Sequence, residues 1–161
     1  MENIIIREIK KSDNAAIEHI IKQVLEEMGV PKTGSTYEDE SLKLMFETYQ
    51  DKNATYYVIE KSGRILGGGG FSQLANADPS VCEIQKMYLI KETRGLGLGK
   101  KLLAKCIDGA RKSGYKTCYL ETMPSMKAAQ HLYQLNGFNY IDKPKGDTGH
   151  TACQVWMVKE F

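Results

Sequence analysis

The chain has 161 residues, 42% of them hydrophobic and 26% charged, as expected of a folded globular protein with a real core in one domain spanning residues 1–161. Its 22 Lys and Arg against 20 Asp and Glu leave a net charge of +2, too weak a field to argue for nucleic acid or a membrane surface as partner. No apolar run approaches the ~20 residues of a membrane span.

The N-terminus, Met1-Glu2-Asn3-Ile4-Ile5-Ile6-Arg7, lacks the basic region and long apolar stretch of a signal peptide, which predicts a cytoplasmic protein. The β-branched run predicts a strand over residues 3–9. Ser12 and Asp13 can cap a helix carrying Ile17, Ile20, Ile21, Val24, Leu25 and Met28 at helical spacing, ended by Gly29 and Pro31. Thr36 and Asp39 have capping-box spacing ahead of a second helix with Leu42, Met45, Phe46 and Tyr49 on one stripe. Tyr56-Tyr57-Val58-Ile59 and a strand from Ile65 form a hairpin about the turn Ser62-Gly63. Gly67 to Gly70 run unbroken inside the second of these strands, as close approach to a ligand or packing room for a neighbour requires.

Residues 82–90 predict a strand whose alternation puts Glu83, Gln85 and Met87 on one face and Ile84, Lys86 and Tyr88 on the other. A helix follows, with Leu102, Leu103, Cys106, Ile107 and Ala110 as its buried face, then a strand from Lys116 to Thr122. Pro124 suits the first turn of the next helix, which ends at Asn136-Gly137. Phe138 to Ile141 and Ala152 to Val158 predict two closing strands, joined by the turn-rich segment from Asp142 to His150. This order implies a mixed α/β sheet with helices on both faces. Cys82, Cys106, Cys118 and Cys153 form no Cys-x-x-Cys pair and read as reduced core thiols, and His19 and His131 lack metal-ligand spacing, so no metal is expected.

The most informative stretch is the turn between the strand at 82–90 and its helix, Arg94-Gly95-Leu96-Gly97-Leu98-Gly99-Lys100. Glycines let the main chain approach an anion closely, the first amides of the helix point at it, and Arg94 and Lys100 add positive charge. A dinucleotide fingerprint needs a glycine three residues after its second, and Lys100 stands there. A P-loop needs Gly-Lys-Ser/Thr, and Lys101 follows Gly99-Lys100, with Arg94 where its first glycine belongs.

Arg94, Gly97 and Gly99 do fit Arg-x-x-Gly-x-Gly, which resembles the acetyl-coenzyme A signature of the GNAT superfamily of N-acetyltransferases. Ala128-Ala129-Gln130-His131-Leu132-Tyr133-Gln134-Leu135-Asn136-Gly137-Phe138 resembles the superfamily's Ala-x-x-Leu-Tyr-x-x-x-Gly-Phe motif. Together they cover residues 54–140. The resemblance implies a central, largely antiparallel sheet of about seven strands in which two parallel central strands, here 82–90 and 116–122, splay apart. Backbone groups at Met87, Tyr88 and Leu89 would then pair with the pantetheine of acetyl-coenzyme A, and the 94–100 turn would hold its pyrophosphate. Relatives are often homodimers, and acceptor specificity lies in segments such as the loop from Gly29 to Tyr37. Met126 stands where the family often has an asparagine that contacts the coenzyme.

Acetyl transfer to a small-molecule or protein amine needs a neutral amine, a polarised thioester and a proton for the departing thiolate. A free alkylammonium has a pKa near 10, so a general base helps, by ~10²–10⁴-fold. Superfamily members often carry a glutamate in the strand before the cradle, which implies Glu83 as base, with Glu121 at the end of the next strand as the alternative. The motif tyrosine, Tyr133, is implied as the acid. Asp147 or His150 can reach an acceptor from the loop between the last two strands. A non-catalytic acyl-coenzyme A sensor would need the same cradle, but not these three groups.

Overall fold

The computed structural model describes residues 3–161. A seven-stranded sheet has the order β1-β2-β3-β4-β5-β7-β6. Its strands are β1 (Ile4–Glu8), β2 (Thr55–Lys61), β3 (Arg64–Gln73), β4 (Val81–Leu89), β5 (Thr117–Thr122), β6 (Asn139–Ile141) and β7 (Val155–Glu160). All neighbours are antiparallel except β4 and β5. This is the mixed, largely antiparallel α/β sheet with one central parallel pair that the resemblance implied. The helices are α1 (Asn14–Glu27), α2 (Met45–Thr48), α3 (Leu98–Lys112) and α4 (Lys127–Leu135).

Strand alternation sends Tyr56 and Val58 to one face, where they pack with Ile17, Ile21 and Leu25 of α1 and with Leu42, Met45 and Tyr49. Tyr57 and Ile59 face the other way and join Phe71, Ile84, Leu102, Leu103, Cys106 and Tyr133 under α3 and α4. The β2–β3 turn has positive φ at both Ser62 and Gly63, the hand that suits a two-residue hairpin.

Four expectations change. The second helix is broken into 3-10 turns at Thr36–Glu38 and Glu40–Lys43 and the single turn of α2, because Ser35 rather than Thr36 caps the first of them and the chain is extended again at Asp39. Pro124 precedes α4 by three residues, and Met126 takes the cap position. β7 begins at Val155 rather than Ala152 and continues to Glu160. Cys153 is only half-buried, whereas Cys82, Cys106 and Cys118 are core thiols as expected.

The face assignment along β4 also fails beyond Gln85. Gly70 pairs with Gln85 but Gly68 pairs with Tyr88, so β4 carries one extra residue there. Lys86 sits at that bulge with φ +52. Beyond it the alternation is reset, which puts Tyr88 on the face of Glu83 and Gln85, and Met87 on that of Ile84. The glycine run makes this possible through packing room. A Cβ on Gly68 would lie 2.6 Å from the Tyr56 ring and one on Gly70 2.8 Å from it. The ring therefore lies across bare backbone, and its hydroxyl donates to the Lys86 carbonyl at 2.7 Å.

Candidate active site

The parallel pairing of β4 and β5 covers only Val81 with Thr117, Cys82 with Cys118 and Glu83 with Tyr119. Beyond Glu83 the two strands part, and the β4 edge from Ile84 to Leu89 that faces β5 is left without a strand partner. A cleft of about 720 Å³ opens from this fork. Met87, Tyr88 and Leu89 line one wall and Ala128, Ala129, Leu132 and Tyr133 of α4 another, with Arg94, Gly95, Gly97, Leu98, Gly99 and Lys100 at the far end.

Gly95 and Gly97 have φ of +83 and +75, and an added Cβ at either would meet nothing within 4 Å. Glycine is needed there for the left-handed backbone rather than for space. Gly97 caps α3, whose first amides are therefore free to face the cleft. Arg94 is half-exposed and 3.7 Å from Glu27 across the mouth. Leu96 is the exception among the predicted cradle residues: its side chain is exposed and does not line the cleft.

Glu83 is the last residue of the parallel rung and is buried, 7% exposed. Burial pushes its carboxyl up to about 7; a bond from Gln85 opposes the rise, and the charge of Glu121 adds to it. Gln85 Nε2 donates to Glu83 Oε1 at 2.7 Å, and Gln85 Oε1 accepts from the buried Tyr49 hydroxyl, so the carboxyl is held from behind by a two-bond relay. Glu121 reaches the same cleft, but each of its oxygens accepts a hydroxyl, from Tyr119 and from Thr148. Tyr133 is buried, its ring edge-on to Phe138 at 6.0 Å, and burial pushes its hydroxyl up to about 12. That hydroxyl has no hydrogen-bond partner among the described residues. Met126 faces the cleft beside it, and its sulfur accepts from Thr122 Oγ1 at 3.5 Å.

The β6–β7 loop forms a roof. Thr148 binds Glu121, the Asp147 amide donates to Ala75 O at 2.9 Å, and the Ala152 amide donates to Gly34 O at 2.8 Å. His150 Nε2 lies 2.9 and 3.0 Å from the two oxygens of Asp39. Burial disfavours a charge on His150, but the bond to Asp39 outweighs it and lifts the imidazole above its ordinary value. Burial likewise opposes the charge on Asp39, which His150 and Lys86 together hold below the usual carboxylate range. Asp147 is exposed at the rim. Four groups here have no role in the site on the sequence reading: Tyr49, Gln85, Lys86 and Asp39. The first was placed in a helix stripe, and the last is 111 residues from its partner. Among the described residues no cluster of His, Cys, Asp or Glu has the makings of a metal site, and no helix is long and apolar enough to cross a membrane.

A mixed sheet with a parted central parallel pair, a glycine-rich turn at the strand's end and a buried carboxyl at the fork define an acyl-coenzyme A-dependent transferase class. The acetyltransferase (GNAT) family model matches residues 18–138. The chain is 40% identical over 158 residues to the uncharacterized N-acetyltransferase YjgM of Escherichia coli K12, covering 98% of this chain and 95% of that one. The chain therefore belongs to the GNAT family and is an N-acetyltransferase. The fold agrees with a GNAT acetyltransferase structure from Staphylococcus aureus Mu50, with a TM-score of 0.87 at 23% identity over 98% of this chain and 99% of that one. It also agrees with the YncA structure of Salmonella typhimurium, solved with acetyl-coenzyme A as cofactor, with a TM-score of 0.79 at 23% identity over 98% and 94% of the two chains.

Proposed function

We propose that the protein transfers the acetyl group of acetyl-coenzyme A to a primary amine by direct attack in the fork between β4 and β5. The observation that carries this reading is the Glu83 carboxyl. It stands on the last paired rung, buried, and held near 7 where it can both accept a proton and release it again.

Each component of the cleft fits a share of the work. The free amides from Gly95 to Gly99, with Arg94 and Lys100, suit a pyrophosphate, since backbone donors at a helix start and two cations converge there. Leu96 contributes backbone only. The unpaired β4 edge at Met87, Tyr88 and Leu89 offers donors and acceptors to the amides of a pantetheine chain, in place of the strand that has turned away. The bound donor supplies an activated thioester carbonyl. Glu83, oriented by Gln85 and Tyr49, takes a proton from the acceptor's ammonium, and the neutral amine so formed attacks the thioester carbonyl. As the carbon–sulfur bond breaks, Tyr133, its hydroxyl free and kept protonated by burial, donates to the departing thiolate and regains a proton from the nitrogen of the tetrahedral adduct, which becomes the amide. Glu121, already engaged by two hydroxyls, serves to anchor the roof through Thr148 rather than as base. Met126 lays an apolar wall along the channel.

The test is thiol release from acetyl-coenzyme A against a broad panel of primary amines, with coenzyme A binding followed by calorimetry. Release with at least one amine, together with coenzyme binding lost on Arg94→Ala with Gly97→Val, is the expected outcome. Coenzyme binding unaltered by those substitutions would remove the cradle. Binding without release from any amine would remove the transfer reaction.

A further inference from the structure

Lys86 is the most unusual residue in the cleft. It holds φ +52, a left-handed backbone conformation that side-chain-bearing residues rarely adopt. The surroundings enforce it: the Tyr56 hydroxyl fixes the Lys86 carbonyl, and Gly68 and Gly70 clear the path for that ring. The consequence is that the lysine turns inward. Its side chain is 8% exposed, and its ammonium lies 3.3 Å from Asp39 Oδ2. That is its one polar contact among the described residues, although an ammonium carries three donors. His150 reaches the same carboxylate from the roof at 2.9 Å. One carboxylate thus faces two cationic side chains. Glu83 and Glu121, across the same cleft, have no cationic group in contact among the described residues. The other charged groups lining the cleft are Arg94 and Lys100 at the coenzyme end, Lys127 at the start of α4 and the exposed Asp147 at the rim.

We propose that Lys86 and His150 form a carboxylate subsite and that the acceptor is a small free amino acid. Its carboxylate meets the donors that Asp39 leaves unused, while its amine faces Glu83. The polarity of the cleft matches a zwitterion, with anionic groups at the fork and spare cationic donors under the roof. The four points at which the β6–β7 loop is fastened, on Ala75, Glu121, Gly34 and Asp39, favour a small acceptor over a polypeptide. The placement of the amine rests on the acetyl-transfer reading; the carboxylate subsite does not.

Calorimetric titration of the protein saturated with coenzyme A tests it. The probes are the protein L-amino acids and β-alanine, each with its amide and its decarboxylated amine, such as L-leucine, L-leucinamide and isoamylamine. At least one amino acid should bind about tenfold or more tighter than its two counterparts, the gain of a charge-assisted contact. The preference should vanish in Lys86→Met and in Lys86→Gly, the second of which suits the bulge backbone and so remains folded. Equal or tighter binding of the amide or amine, no binding by any amino acid, or a preference that survives both substitutions would overturn the subsite. Thiol release from acetyl-coenzyme A with the same probes separates the two readings. A carboxylate preference in binding without release supports the subsite and removes the transfer reaction. Release with the decarboxylated amine as readily as with its parent amino acid, in every pair of the panel that reacts, supports transfer and overturns the subsite.

Discussion

Replacing Glu83 by glutamine should make the protein more stable at alkaline pH while slowing turnover by ~10²–10⁴-fold. The carboxyl is held at about 7 instead of its ordinary 4.5, chiefly by burial. Below 4.5 it is protonated in both the folded and the unfolded chain and adds no pH dependence. Between 4.5 and about 7 the unfolded chain gives up its proton first, so stability falls as pH rises. Above about 7 the full cost applies, ~3 kcal/mol at about 1.36 kcal/mol per pH unit. Glutamine keeps the shape and never ionises. Thermal denaturation of both proteins from about pH 4.5 to about pH 8.5 isolates the effect, since other titrating groups cancel in the difference. The advantage of Glu83→Gln should be small at the acid end and grow to ~6–12 °C at the alkaline end, taking about 2–4 °C per kcal/mol for a chain of this size. A difference in Tm that stays flat across the range would mean that Glu83 is not a buried, strained carboxyl.

Tyr133→Phe should lower kcat about 10²-fold or more with coenzyme affinity and Tm nearly unchanged, because the hydroxyl makes no protein contact to lose; full activity in that variant would end its role as acid. Arg94→Ala with Gly97→Val should weaken coenzyme A binding more than about tenfold in calorimetry, the valine adding about 1–2 kcal/mol of backbone strain at φ +75 where nothing clashes. His150, lifted by Asp39 over the cost of burial, adds stability that is complete below its ordinary 6.5 and is lost as pH rises through its elevated value. The Tm deficit of His150→Gln should therefore be largest in acid and shrink with rising pH, and a deficit that grows instead would contradict a charged His150 held by Asp39.

The glycine-rich turn was legible because alternating glycines after an apolar strand carry a backbone requirement in the residue type itself, and Gly95 and Gly97 do take positive φ. The parting of the central strands came from the resemblance, since no residue between Ile84 and Leu89 signals an unpaired edge. The bulge was invisible for a different reason. Its strained residue is a lysine, and the glycines that permit it lie on the neighbouring strand. Alternation read along β4 alone therefore misplaced Met87 and Tyr88. The stripe Leu42, Met45, Phe46 and Tyr49 fitted a helix, yet the chain buries Leu42, Met45 and Tyr49 equally well from a series of short turns. Glu83, Glu121 and Tyr133 do converge on one cleft, but the groups that tune them come from distant elements, and pairings such as Asp39 with His150 exist only after folding.

The central claim, that the buried carboxyl at the fork is the base for acyl transfer, is tested most directly by the pH dependence of kcat/KM for thiol release in the wild type and in Glu83→Gln. The wild type should show a rising limb centred near 7, separate from the amine's own ionisation near 10. Glu83→Gln should bind coenzyme A normally and lose that limb while keeping the one at higher pH. The same limb near 7 in both proteins would assign the proton to another group and contradict the mechanism.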